Sequence, residues 1–433
     1  RRADLAEVMQ VLNDQQRREV IRQLDSSSAG QVLSLLDEAT RDGVVDDLSN
    51  RHLSSMVATL PPDDAADVLA ELPPEQSEQV LDRMPDEHSR QVEGLMRHRP
   101  DTAGGLMTPA LVAVPESATV SEAVVRLRQS RIAGELFYVY VVDEQGRLKG
   151  VVPLRRLVTA PPTTPVSQVM LHDLITVSVE QDQEQVANLF RKYDLAALPV
   201  VDQQGRLLGR ITYDDVMDAA DEEAEEDLLR MAGTGPKELE TASPVRVAGV
   251  RATWLGACML GTLITVAVAA FFKGKLDVEI FAVLAIFGPS IAAMSGNSGI
   301  QCSTLTIRRL ATGGLAGQNL RRCYVREARV AGLLGGLFGV LAGLIARLVL
   351  PLLVQAGRAS PKTPAVVVAG AVGGAMFLAI MFATTLGITL PFIFRRLGID
   401  PAIASGPVVT TFNDSASWAM YLLLATIMVR VMS

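Results

Sequence analysis

The sequence of 433 residues has few of the residues that build covalent or metal-held frameworks. It contains three cysteines, none of them in a CxxC pair, and four histidines without ligand spacing. These absences exclude a disulfide scaffold and argue against a structural zinc site. The chain also lacks GxxxxGK[ST], which argues against a primary pump, and it carries no hydrolysis motif that would predict an enzyme.

Basic charge is also scarce, since the formal net charge is −8. This is the wrong sign for a nucleic-acid-binding protein and favours cations or basic partners. The charge is unevenly distributed, because residues 1–245 carry most of it and residues 247–433 are dominated by Ala, Gly, Leu, Ile and Val. The length suits about three domains.

Apolar residues recur every 12 positions in the first hundred residues. One series is Leu12, Leu24, Leu36, Leu48, Leu60, Leu72, Met84 and Met96, and a second runs four residues earlier, from Val8 to Val92. Later units open with proline and an acid, which suit the first turn of a helix. Each unit therefore predicts one short helix and a turn. We expect residues 1–100 to form an α-solenoid, with an ordinary helical bundle as the alternative.

Residues 101–218 contain two copies of a strand–turn–strand pattern, offset by 59 residues. The predicted strands are 137–142 and 148–152 in the first copy, and 198–201 and 207–212 in the second. Helices are predicted before each copy, around 121–130 and 182–192. With the entry segments Leu106-Met107-Thr108-Pro109 and Val169-Met170, the region resembles a tandem pair of CBS domains, α/β modules that regulate other domains by sensing nucleotides or ions.

A run of acids follows the second copy. Nine of the fourteen residues in 214–227 are Asp or Glu, and none is basic. Alanine content favours a helix, although like charges three and four apart oppose it by a few tenths of a kcal/mol per pair, roughly. Gly233, Gly235 and Pro236 then interrupt the pattern. We expect residues 219–246 to link the front half to a membrane domain through an acidic helix.

Five long apolar segments occupy residues 247–433, at about 252–272, 280–307, 330–354, 365–394 and 402–429. Each is long enough to cross a hydrocarbon core of roughly 30 Å. The distribution of Lys and Arg between their ends predicts that the front half lies in the cytosol and the C-terminus outside. The sequence therefore predicts a multi-pass protein of the cell (inner) membrane.

Two of these segments carry polar residues at membrane depth. The second contains Gly288-Pro289 and then a polar stretch at 295–301, which predicts a broken helix beside a permeation path. The side chains of Asn297 and Gln301 would either form hydrogen bonds to a hydrated ion or stabilise the contact between neighbouring helices. Both interpretations remain open.

The fifth segment carries Asp414, with no basic residue within one turn. Burying its charge costs roughly 2.5–3.5 kcal/mol, so a cation pathway explains it better than a structural aspartate that is protonated or hydrogen-bonded. Thr410, Thr411 and the carbonyl freed by Pro407 add oxygen ligands, which suit a hard cation. Two chains on a twofold axis would bring two carboxylates to a hydrated divalent ion.

The order of solenoid, CBS pair, acidic linker helix and five membrane helices resembles the MgtE family of Mg²⁺ channels. The resemblance covers essentially the whole chain, and its sharpest motifs are 296–301, 400–407 and 410–414. It implies a homodimer in the lipid bilayer with the pore at its axis, hydrated Mg²⁺ at Asp414, and Asp400 near the cytosolic mouth.

The resemblance also implies gating by cytosolic Mg²⁺, with acids of the solenoid, the CBS pair and the linker (plug) helix sharing ions that close the pore. The residues implied as regulatory metal ligands are Asp63, Asp67, Glu184, Asp194, Asp215, Asp218, Glu223, Glu226 and Asp227. Two other functions stay open on the residues alone. One is a divalent-cation exporter or antiporter that uses Asp414, and the other is a non-conducting membrane sensor with a CBS pair.

Some members of the family bind ATP between the CBS units, and Tyr138 and Arg155 match positions used there. The chain departs from that pattern at two places. Arg156 stands where an acid would contact ribose, and Leu195 stands where an aromatic ring would stack on the base. These departures weigh against an ATP site.

Overall fold

The computed structural model describes residues 2–45, 48–130, 132, 136–235, 243–311, 320–355, 365–404 and 406–432. The chain divides into two compact units, Arg1–Glu223 and Ala224–Ser433. The first unit holds short helices and two small sheets, whereas the second is built from long helices.

Eight short helices open the first unit, and each corresponds to one 12-residue repeat. They are α1 (Arg2–Val11), α2 (Asp14–Gln23), α3 (Ser26–Ser34), α4 (Glu38–Val45), α5 (Asn50–Val57), α6 (Pro62–Ala70), α7 (Pro74–Leu81) and α8 (Asp86–Leu95). Helices two apart stack on each other, so that α3 contacts α1 and α5, and α8 contacts α6. The repeated apolar positions form the core between them, and Val8, 49% exposed, is an exception. The predicted solenoid is confirmed.

The CBS pair consists of two three-stranded sheets with flanking helices. The first repeat contains α9 (Ala103–Leu106), β1 (Ala113–Pro115), α10 (Val120–Gln129), β2 (Tyr138–Val142), β3 (Leu148–Pro153) and α11 (Leu154–Thr159). The second contains α12 (Val166–Val169), β4 (Val177–Ser178), α13 (Gln183–Tyr193), β5 (Ala197–Val201) and β6 (Leu207–Thr212). In each sheet a parallel strand, β1 or β4, joins an antiparallel hairpin. These two short strands were missed by the sequence pattern.

Both hairpins turn through the same local structure. The Oδ1 atom of Asp143 accepts hydrogen bonds from the backbone N–H groups of Gln145 and Arg147, and Asp202 does the same in the second hairpin. Gly146 and Gly205 each have φ = 77°, a left-handed conformation that favours glycine. The turns predicted at these positions are therefore confirmed.

The solenoid and the second CBS repeat share one hydrophobic core, which also contains Val216 of α14 (Tyr213–Ala232). The first CBS repeat has a separate core. The acidic run thus forms a 20-residue helix that starts directly after β6. Its first half belongs to the first unit and its second half, from Ala224, to the second.

Five long helices make up most of the second unit. They are α15 (Pro244–Lys273), α16 (Val278–Ala311), α17 (Leu320–Gln355), α18 (Ala365–Arg396) and α19 (Gly406–Met432), with a 3₁₀ helix at Pro401–Ala404 before the last. In the described part of the chain, α15 to α18 are long and apolar enough to cross a membrane. Helix α19 is not among these candidates, so the fifth crossing remains a prediction. Helix α18 packs against α16, α17 and α19, and α19 also contacts α15.

The predicted break in the second apolar segment is wrong. Helix α16 is continuous from Val278 to Ala311 and has Pro289 inside it. Hydroxyl groups bond to carbonyls on either side of Pro289, one from another helix and one from within α16. The Tyr421 hydroxyl donates to the carbonyl of Leu284 at 2.9 Å, and Ser295 Oγ donates to the carbonyl of Ile291 at 2.8 Å.

Candidate cation sites

Acids of the solenoid and of α14 come together in the first unit. Three acids of α6, Asp63, Asp64 and Asp67, lie close to four acids of α14. The negative charges of the α14 acids contribute to raising their pKa values. We call these seven residues the acidic cluster: Asp63, Asp64, Asp67, Asp214, Asp215, Asp218 and Glu222. Four of them were predicted from the sequence, and the other three lie beside predicted members in the same two acidic runs.

The cluster resists full ionisation. Desolvation, followed by the charge of Asp215, raises the pKa of Asp63 to about 7. Desolvation is also the largest cause of the raised pKa values of Asp64 and Asp67, which are both about 6. Part of Asp67 nevertheless remains accessible to solvent. The pKa values of Asp215 and Asp218 are raised as well, chiefly by desolvation. Additional positive charge or protons would therefore stabilise this arrangement.

One buried carboxylate oxygen in the cluster, Asp63 Oδ1, has no hydrogen-bond partner. Asp215 differs, because its Oδ2 accepts from the backbone N–H of Thr212 at 3.1 Å and from the Thr212 hydroxyl at 2.5 Å. A free carboxylate oxygen among other carboxylates is the donor type that Mg²⁺ prefers. The residues therefore fit a hard cation, although no group of three or more His, Cys, Asp or Glu among the described residues is placed to hold a metal ion.

An arginine that the sequence analysis did not single out lies near the cluster. Arg41 donates to Glu71 Oε1 at 2.7 Å and to the carbonyl of Leu36 at 2.7 Å. Its positive charge partly offsets the effects that raise the pKa values of Asp64 and Asp67. It lies 22 residues or more from these acids in sequence, so spacing offered no signal for it.

The three acids predicted at α13 and the adjacent part of α14 do not form one site. Glu184 lies in the first turn of α13, whereas Asp194 caps its C-terminal end with φ = 50°. Ten residues of helix separate them by about 15 Å. Glu223 accepts a 2.8 Å hydrogen bond from Gln183 Nε2, so it lies beside the Glu184 end. Asp194 is exposed at the other end.

Two predicted ligands in the second unit share an arginine. The guanidinium group of Arg230 forms ion pairs with Glu226 on the preceding turn of α14 and with Asp400 before the 3₁₀ helix. The second carboxylate oxygen of Asp400 accepts the backbone N–H of Ala402 at 2.8 Å. Asp227 lies one residue beyond Glu226 and is partly buried. Arg230 is 170 residues from Asp400, which is why the sequence pattern did not reveal it.

The end of α14 lies against the start of α19. Gly406 has φ = 38°, and a Cβ atom there would collide with the carbonyl oxygen of Met231. A Cβ atom on Gly233 would lie 2.8 Å from Cγ of Pro407. Glycine at both positions allows this close approach, and the Arg230 ion pairs hold the same two elements together.

Asp414 lies on α19 between two hydrogen-bonded neighbours. Asn413, fully buried, donates through Nδ2 to Ser295 Oγ of α16 at 2.9 Å. Ser415 Oγ lies 2.9 Å from Thr265 Oγ1 of α15 and donates to the carbonyl of Gly261 at 3.1 Å. Asp414 itself is partly exposed. The residues on either side of Asp414 are thus held by polar contacts to α16 and α15.

The two predicted ATP-site residues lie at one end of the first CBS sheet. Tyr138 begins β2 and Arg155 is exposed on α11, which the Leu154 N–H to Phe137 carbonyl bond of 3.1 Å ties to that end. Arg156 is directed elsewhere, since its Nη1 donates to the carbonyl of Val169 at 3.0 Å. Leu195 packs against the core of the second repeat.

A solenoid, a CBS pair and a bundle of membrane-length helices with a buried polar centre define a class, that of membrane proteins with attached CBS domains. Three family models match the chain: "MgtE intracellular N domain" at residues 1–101, "CBS domain" at 103–163 and 166–222, and "MgtE: Divalent cation transporter" at 288–424. The magnesium transporter MgtE of Thermus thermophilus is 38% identical over 343 residues, which cover 78% of this chain and 72% of that protein. The chain belongs to the MgtE family.

A second curated relative supports this assignment. The magnesium transporter MgtE of Bacillus subtilis is 32% identical over 337 residues, covering 77% of this chain and 71% of that protein. A solved cytosolic domain of the Mg²⁺ channel MgtE in complex with ATP is 38% identical and covers 49% of this chain and 93% of its own, with a TM-score of 0.38.

Proposed function

We propose that this protein is a homodimeric Mg²⁺-selective channel that mediates Mg²⁺ influx across the cell membrane and is closed by cytosolic Mg²⁺. The observation that carries the proposal is Asp414, a carboxylate on α19 whose sequence neighbours bond to α16 and α15. An aspartate among membrane helices is costly unless a cation pathway uses it. Family membership, and the name of the relatives as magnesium transporters, support the choice of ion.

The chemistry of Asp414 suits a hydrated ion. Mg²⁺ sheds water reluctantly and keeps several waters when carboxylates bind it. Two copies of Asp414 around a twofold axis would hold such an ion through its water shell. With the front half in the cytosol, the membrane potential would drive a divalent cation inward by about 4.6 kcal/mol per 100 mV.

The acidic cluster supports gating by the same ion. Its carboxylates repel one another, and Asp63 Oδ1 has no donor. Cytosolic Mg²⁺ would relieve that repulsion and favour the compact arrangement of α6 against α14. Because α14 continues to Arg230, which is paired with Asp400, a change at the cluster would reach the predicted cytosolic mouth through one helix. The predicted ligands Glu184, Asp194, Glu223 and Asp227 would contribute further carboxylates for cytosolic Mg²⁺.

Single-channel recording of the full-length protein across a range of cytosolic Mg²⁺ concentrations tests conduction and gating together. We expect inward Mg²⁺ currents whose open probability falls as cytosolic Mg²⁺ rises. Outward transport that depends on a counter-ion would instead support an exporter or antiporter. Absence of any current, in protein that still binds Mg²⁺, would support a non-conducting sensor.

A further inference from the structure

We propose that Asn413 and Ser415 are positioning residues for Asp414: they fix the rotation of α19 and thereby set the preference for Mg²⁺ over larger divalent cations. This inference rests on the proposed function, since it assumes that ions pass Asp414. Its basis is the pair of hydrogen-bonded contacts on either side of that residue.

The first contact joins α19 to α16. It consists of Asn413, Ser417 and Ser295, which are all at most 1% exposed, and we call it the α16 anchor. Asn413 Nδ2 donates to Ser295 Oγ at 2.9 Å, and Ser417 Oγ donates to Asn413 Oδ1 at 3.1 Å. The two serine Oγ atoms lie 3.1 Å apart, so the three side chains are in mutual contact. A closed network of buried polar groups admits few alternative arrangements, because each member loses its partner if one moves.

The second contact joins α19 to α15. It consists of Ser415, Thr265 and the carbonyl of Gly261, and we call it the α15 anchor. Ser415 Oγ lies 2.9 Å from Thr265 Oγ1 and donates to the Gly261 carbonyl at 3.1 Å. The helices can approach this closely because Gly261 has no Cβ atom; a Cβ atom there would collide with Thr411.

The two anchors restrain rotation more than either would alone. Successive residues of a helix point about 100° apart, so Asn413 and Ser415 point to nearly opposite sides of α19, each about 100° from Asp414. Turning α19 about its axis in either direction breaks bonds to α16 or to α15. The face of α19 from which Asp414 projects is therefore set by residues that do not themselves carry charge.

A fixed carboxylate discriminates between divalent cations. Mg²⁺ demands near-ideal octahedral geometry, whereas Ca²⁺ accepts six to eight oxygen ligands in flexible arrangements. A carboxylate free to shift would thus keep interacting with Ca²⁺ but lose the geometry that favours hydrated Mg²⁺. Loosening the anchors should lower the ratio of Mg²⁺ to Ca²⁺ conduction.

The test compares Mg²⁺ and Ca²⁺ conductance in reconstituted full-length variants. Asn413→Leu keeps a similar volume but removes the α16 anchor, and Ser415→Ala removes the α15 anchor. We expect each to lower the Mg²⁺/Ca²⁺ ratio at least about fivefold, the factor for a single buried hydrogen bond, since each variant loses at least one such bond. Ser415→Thr, which retains the hydroxyl, should keep the wild-type ratio.

A matched control lies on the same helix. Thr426 is 7% exposed, and its hydroxyl donates at 2.7 Å to Leu422, within α19. Thr426→Val removes a buried hydroxyl without touching either anchor, so the ratio should stay at the wild-type value. A ratio unchanged in both anchor variants would overturn the inference, whatever happens to the total current. If Asn413→Leu does not assemble, Ser415→Ala decides alone.

Asp414→Ala separates this inference from the proposed function. Loss of current in that variant, together with unchanged ratios in the anchor variants, would leave the channel assignment intact and refute only the positioning role. Wild-type Mg²⁺ current in Asp414→Ala would refute the assignment of the pathway itself.

Discussion

Arg230 offers the sharpest perturbation of the proposed gate. Its guanidinium group pairs with Glu226 and with Asp400, and so ties the end of α14 to the segment that leads into α19. The Arg230 side chain is 33% exposed, and the two carboxylate side chains are 27% and 24% exposed. The pairs are therefore neither fully screened nor fully buried. We assign them about 1–2 kcal/mol together, between the values for exposed pairs and for buried charged hydrogen bonds.

Replacing Arg230 with Ala removes this tie and leaves two carboxylates facing each other. In single-channel recordings without cytosolic Mg²⁺, we expect the ratio of open to closed time to rise roughly 5- to 30-fold, as 1–2 kcal/mol implies. Closure at millimolar Mg²⁺ should remain, because a divalent ion can occupy the space between the carboxylates. Arg230→Lys should give an intermediate result, since lysine cannot bond both carboxylates with a planar fork.

The control is Arg128→Ala, which removes an exposed arginine from α10 in the first CBS repeat. It should leave the open probability at the wild-type value. The reasoning is refuted if Arg230→Ala and wild type have the same open probability in the absence of Mg²⁺.

Three further predictions concern the cluster and the contact between α14 and α19. Neutralising Asp215, Asp218, Glu223 and Glu226 together should leave the channel open at high cytosolic Mg²⁺; unchanged inhibition in patch recordings would contradict the gating proposal. Since the pKa is raised to about 7 for Asp63 and about 6 for Asp67, the folded arrangement is favoured by protonation and loses that stability as pH rises through 6–7. Without Mg²⁺, we therefore expect slower proteolysis of the first unit at pH 5.5 than at pH 7.5, and proton release when Mg²⁺ is added near pH 7; a calorimetric titration with no proton release would count against it. Gly406→Ala should lower the thermal midpoint of the full-length protein, because an alanine at φ = 38° is strained and would also collide with Met231. Gly398→Ala is the control, since it introduces an alanine at a left-handed position without a collision and should lower the midpoint less.

The sequence was informative where structure follows from local patterns. The 12-residue repeat predicted eight helices because each unit carries its own helix start and its own buried residues. The hairpins followed from Asp143 and Asp202, whose side chains bond to the backbone two and four residues ahead. These patterns involve residues that are close in sequence, so a single sequence is enough to predict the helices and turns.

Prediction failed where the outcome depends on distant residues. A break in the second apolar segment was expected from its local composition, yet α16 is continuous and packs against α18 and α19. The Arg230–Asp400 pair and the bonds of Asn413 to Ser295 join positions more than 100 residues apart. Spacing along the chain carries no signal for these contacts, although acid content and the isolated charge of Asp414 did indicate both regions.

Mg²⁺ uptake by proteoliposomes containing Asp414→Asn tests the central claim most directly. Asparagine keeps the size of the side chain and removes the charge that would attract a hydrated divalent ion. We expect Asp414→Asn to lose inward Mg²⁺ flux, while Thr426→Val in the same helix retains it. Wild-type flux through Asp414→Asn, at equal protein incorporation, would contradict the claim that this carboxylate lies on the path of the ion.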